Sequence, residues 1–104
     1  MSPQANPLRG EAAIRIGGRE CLLRPTFTAL VAAEAELGPL FALVERAGEG
    51  QLRLSELAAL FWHCLAESET VTREQMGDAV LACGLAGCAN PLRTLLQQIL
   101  QGRT

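Results

Sequence analysis

Gly17 and Gly18 stand side by side between two short β-prone runs, and this arrangement restricts the fold of the chain more than any other feature does. Before them Ala12, Ile14 and Ile16 alternate with Glu11, Ala13 and Arg15; after them comes Arg19-Glu20-Cys21-Leu22-Leu23-Arg24. A Gly-Gly pair supplies the positive φ angles of a tight primed turn, so the pattern predicts a β-hairpin over residues 10–24. Two strands alone are marginal in water. Helices must therefore cover one face of the hairpin.

The rest of the chain carries helical spacing. Pro25 and Thr26 open a run in which Phe27, Leu30, Val31, Glu34 and Leu37 share one face up to Gly38. Pro39 suits the first turn of a short second helix with Leu40, Phe41, Leu43 and Val44, ending at Gly48. Ser55 is the expected N-cap of the longest apolar helix, with Leu57, Leu60, Phe61, Cys64 and Leu65 on one face and Ala58, Ala59 and Trp62 widening it. Thr72 and Gln75 form a capping-box pair before Met76, Ala79, Val80 and Cys83, with Gly84 as the stop. Asn90-Pro91 is the expected start of a last helix carrying Leu92, Leu95, Leu96, Ile99 and Leu100. The predicted fold class is α+β and mostly helical: an N-terminal β-hairpin followed by about five short helices in one compact domain over residues 10–104 (helical part 25–102), preceded by a flexible arm, residues 1–9.

Charge narrows the function classes. The formal net charge is −2 and all nine basic residues are arginines, with no cluster of the kind that grips a phosphate backbone. Residues 25–70 instead form an acidic band: Glu34, Glu36, Glu45, Glu49, Glu56, Glu67 and Glu69 against Arg46 and Arg53. A small DNA-binding domain built on the Ser55 and Thr72 helices is disfavoured, because the second helix offers only Arg73 against Glu74 and Asp78. No apolar stretch reaches the length of a membrane span, and the N-terminus lacks the apolar region of a signal peptide, so a cytoplasmic location is expected. Cys21, Cys64, Cys83 and Cys88 then read as reduced thiols that pack as small hydrophobes.

The same residues give chemistry little to work with. The only histidine, His63, neighbours Cys64, but adjacent helical positions face different ways, so no Cys–His dyad follows from the pair. A P-loop needs a lysine, and the chain has none. The spacing of Cys83 and Cys88 is not that of a zinc site. No enzyme activity, metal or cofactor is expected, and the surfaces point to protein binding. Three residues are candidate partner contacts. Glu34 is a carboxylate on an apolar face that must reach solvent or a donor. Trp62 is placed on the widened stripe, where core packing and an interface anchor both remain open. Phe41 is the third.

The run from Asn6 to Gly38 resembles the small proteins encoded among the tail genes of gene transfer agents and related siphophages. The matching elements are Asn6, Arg9, Gly10 and Glu11; Leu23 and Arg24; and Thr26, Ala29, Leu30, Glu34, Leu37 and Gly38. The resemblance implies a tail assembly protein, foremost a chaperone that binds the tape-measure protein during tail assembly. The alternative it implies is a structural tail-tube or tail-completion subunit forming a ring. Expected partners are the tape-measure protein, the tail-tube protein and further copies of the chain, with neither nucleic acid nor membrane. A tube wall calls for a large β-sheet, so the single hairpin leads to the chaperone expectation.

Overall fold

The computed structural model describes residues 11–101. The expected arm over residues 1–9 and the stop at Gly102 lie outside them. The hairpin forms as its sequence dictates, from β1 (Ala12–Ile16) and β2 (Arg19–Leu23), with Ile16 opposite Arg19 across the turn. Gly17 and Gly18 take φ angles of 58° and 81°, the positive pair that a primed turn requires and that side chains resist.

Five α-helices follow: α1 (Phe27–Leu37), α2 (Leu40–Gly48), α3 (Leu54–Cys64), α4 (Arg73–Cys83) and α5 (Leu85–Gln101), with one 3₁₀ turn at Ser68–Thr70. Helix α3 is the central one. It buries Leu57, Ala59, Leu60, Phe61 and Cys64 and packs against α1 and α4. Strand β1 turns Ala12, Ile14 and Ile16 onto α4 and α5. The hairpin also gains a third rung. Ala66 N–H donates to the Leu22 carbonyl (3.0 Å) and Arg24 N–H to the Cys64 carbonyl (2.6 Å), so the chain leaving α3 pairs with the end of β2 at Leu23 and Leu65.

Two side chains cap helix starts, and the second is the expected one. Thr26 Oγ1 accepts the Ala29 N–H at the start of α1. Thr72 and Gln75 exchange bonds at the start of α4, with Gln75 N–H donating to Thr72 Oγ1 (3.0 Å) and Thr72 N–H to Gln75 Oε1 (2.8 Å).

Other boundaries differ. Helix α3 begins at Leu54 with Arg53 in the cap position, ahead of the expected Ser55. Its orphan donor is met from the third helical position: Glu56 Oε1 accepts the Arg53 N–H at 2.9 Å. Helix α5 begins at Leu85, not at Asn90-Pro91, and Pro91 lies inside it. Gly84, at φ 84°, lets the chain turn by 115° between α4 and α5, and the fully buried Cys88 anchors the new helix a turn before the proline. Pro91 keeps a helical φ there, at the loss of any bond to the Gly87 carbonyl.

The inward face of α1 is also rotated from expectation. Ala33 is its buried residue, Leu30 and Leu37 are half-buried, and Phe27 and Val31 are 83% and 48% exposed. The small Ala33 side chain lets α1 approach α3 closely, which turns the bulkier positions outward. Cys83 is likewise exposed where the stripe of α4 had placed it inside.

Phe61→Ala removes a fully buried ring from α3 and is expected to cost about 3–5 kcal/mol, whereas Phe27→Ala is expected to change stability by less than about 0.5 kcal/mol. Urea unfolding of the two variants checks both values; a large loss for Phe27→Ala would place that ring in the core.

Candidate functional site

A polar cluster ties three helices together on one side of the molecule. Glu36 of α1 receives a two-pronged bond from Arg73 of α4, with Nη1–Oε2 at 2.9 Å and Nη2–Oε1 at 2.6 Å. His63 of α3 brings Nε2 within 2.9 Å of the same carboxylate and 3.3 Å of Arg73. The Arg73 guanidinium also lies 4.3 Å from the centre of the Trp62 ring, and the Trp62 and His63 rings meet edge to face at 5.2 Å. The Arg73 bonds, then the His63 contact, hold the Glu36 carboxyl down at about 2.

A sequence signal for this cluster exists. Arg73 occupies the first turn of α4, where a cation opposes the helix dipole. Such a position calls for a carboxylate from elsewhere in the fold.

A second pair joins α2 to α3. Arg46 makes two bonds of 2.7 Å to the largely buried carboxylate of Glu56, which lowers the Glu56 carboxyl to about 2 with further help from the Arg53 N–H. Glu11, buried ahead of β1, pairs with Arg24 after β2 at 2.9 Å. Glu36 and Glu56 of the acidic band thus form ion pairs within the fold.

The three candidate contacts part company. Glu34 caps a helix: its Oε2 accepts the Leu40 N–H at 3.1 Å, at the start of α2. Trp62 is half-buried, and its indole N–H donates to the Val71 carbonyl at 2.8 Å. Phe41 points outward and is 76% exposed. By its bond to Leu40, Glu34 lies beside the start of α2, next in sequence to Phe41, while Trp62 is engaged on α3. Sequence reading missed Phe27 and Val31, which α1 presents one turn apart to solvent; their helical spacing had made them look like core.

The chemistry of the two buried thiols is subdued. Burial pushes the Cys64 thiol up to about 12, and burial with a bond to Cys83 raises Cys88 to about 11, so both stay protonated at neutral pH. The four cysteines are free: Cys64 and Cys88 are buried, Cys21 is half-buried and Cys83 is exposed. Among the described residues, no single helix is long and apolar enough to cross a membrane.

The chain folds as a two-stranded hairpin followed by helices, with aromatic side chains at its surface. Comparison with known families assigns it. Residues 9–102 match the family described as "Phage tail tube protein, GTA-gp10", and the chain belongs to that gene transfer agent and phage tail family. No curated protein and no solved structure matches it.

Glu36 and Glu56 titrate at about 2 in the fold against an ordinary 4.5. Their pairs therefore add stability above the ordinary value, and that stability is lost as pH falls from about 4.5 toward 2. Glu36 is 39% exposed, so water screens its pair and Glu56 contributes more. Urea midpoints measured across pH 2–6 are expected to fall on acidification, with a visibly shallower slope in Glu56→Gln and a smaller change in Glu36→Gln.

Proposed function

We propose that this chain is a structural protein of a phage-like tail, a tube or tail-completion subunit that joins neighbouring copies or other tail proteins and has no catalytic role. The observation that carries this reading is the family match over residues 9–102, nearly the whole chain. Exposed Phe41 and Phe27 support a surface made for protein contact, because large aromatic side chains left in water are a common mark of recognition sites. The protonated buried thiols, and a histidine engaged with Glu36, agree with a role in binding.

A second reading is favoured by one feature of the fold: among the described residues the sheet has only two strands. A ring wall made by joining sheets edge to edge draws on more β-structure than that. Under this reading the chain is a chaperone that shields the tape-measure protein until tube subunits take its place. Of the three candidate contacts, Phe41 suits either role best, since Glu34 and Trp62 already spend polar atoms on bonds within the fold.

Mass spectrometry of purified particles separates the two readings. Stoichiometric amounts of the chain are expected for a tail subunit; absence from particles, together with co-purification with the tape-measure protein, would select the chaperone. In either case Phe41→Asp is expected to weaken partner capture by roughly 30-fold or more, the scale of an interface hot spot of about 2 kcal/mol, with folding unchanged.

A further inference from the structure

Two thiols meet across the elbow between α4 and α5. Cys83 is the last residue of α4, Cys88 lies in the first turn of α5, and Gly84 turns the chain between them. The Cys83 side chain folds over Gly87: a Cβ placed on that glycine would lie 2.7 Å from Cys83 Sγ, closer than real Cβ atoms come. Cys88 Sγ lies 4.0 Å from the carbonyl of Val80, on the turn of α4 that ends in Cys83, and its thiol bonds to that of Cys83. The glycine therefore keeps the two sulfurs side by side, at a sequence spacing that gives no sign of it.

The two thiols differ in access. Cys83 is exposed and stands at the end of an open groove of about 710 Å³ between the hairpin turn, at Arg15 and Gly18, and α4, at Gln75, Asp78 and Ala82. A small molecule reaches it there. Cys88 is 1% exposed, so its sulfur is sheltered from solution and meets a reagent only when Cys83 carries one. A reachable thiol beside a sheltered one is the arrangement that converts oxidation of the first into a bond between the two.

We infer that Cys83 and Cys88 are a reversible redox pair, closing to an internal disulfide when the chain meets a small-molecule disulfide. The Cys83 thiolate attacks one sulfur of that disulfide, whose S–S bond breaks and releases one small thiolate. Cys88 then gives up its proton to solvent and attacks the Cys83 sulfur; the mixed bond breaks, and the second small thiolate leaves and is protonated. Each cysteine thus loses one hydrogen and one electron, and the small disulfide is reduced to two thiols. Excess thiol runs the sequence backwards. The closed bond ties the end of α4 to the start of α5, the two helices that cover β1. This inference is independent of the tail role and holds for either reading of it.

Incubation of the full chain with oxidised glutathione, followed by acid quenching and peptide mass spectrometry, tests it. The wild type is expected to form a Cys83–Cys88 disulfide within one chain, which dithiothreitol reopens. Cys88→Ala is expected to stop at a glutathione adduct on Cys83, and Cys83→Ser to leave Cys88 unmodified. Gly87→Ala adds a methyl group that pushes the Cys83 sulfur aside at an exposed position; it is expected to slow closure at least about tenfold with unchanged circular dichroism. Should Cys88→Ala lose helical signal, Gly87→Ala decides. A wild type that takes up no glutathione, or keeps it on Cys83 without closing, overturns the inference. So does closure at the wild-type rate in Gly87→Ala, or a Cys88 that reacts in Cys83→Ser as fast as Cys83 does in the wild type.

Discussion

The hairpin cannot hold itself together, and the rest of the molecule is arranged round that deficit. Two strands of five residues bury too little to persist alone. The remedy comes from far along the chain: Cys64 and Ala66 supply the bonds that extend β2, while α4 and α5 cover the inner face of β1. Helix α3 is placed so that its last turn can do this. Its buried Leu60, Phe61 and Cys64 fix its depth, and the short exit at Leu65 then lies beside Leu23. Backbone pairing and core packing are therefore a single constraint here.

The polar ties follow the same plan. Arg73–Glu36–His63 links α4, α1 and α3, and Arg46–Glu56 links α2 to α3. Each leads back to the central helix. Helix α2, which packs mainly on α1, is held through Glu34 at its start and Arg46 near its end. That division leaves the outer faces of α1, α2 and α5 free of structural duty, and it is there that Phe27, Phe41 and Leu100 stand in water.

Much of this was legible in the sequence. Gly17-Gly18 pointed to the hairpin, Thr72 with Gln75 to the start of α4, and the apolar stripe of residues 57–65 to the central helix. Periodicity failed where it could not tell which of two apolar faces packs inward. In α1 the decision fell to Ala33, whose small size permits close approach and whose modest hydrophobicity gives little signal. Asn90-Pro91 misled because proline at a first turn and proline just inside a helix look alike in sequence; the buried Cys88 settled the matter. The sequence resemblance placed the chain among tail proteins, but its preference for a chaperone went beyond what the family description supports, which is a tail-tube role. Of the candidate contacts, Glu34 proved to be a capping residue, a use its position on an apolar face left open.

The packing of β1 against α5 joins the first described strand to the last helix, across some seventy intervening residues. During synthesis, the inner face of the hairpin is made before α4 and α5, which cover it. Until those helices have been made, the nascent chain carries Ala12, Ile14 and Ile16 uncovered, and this part of the core closes only once both are in place. A chain cut short within α5 leaves that strand with only the part of its cover that α4 supplies.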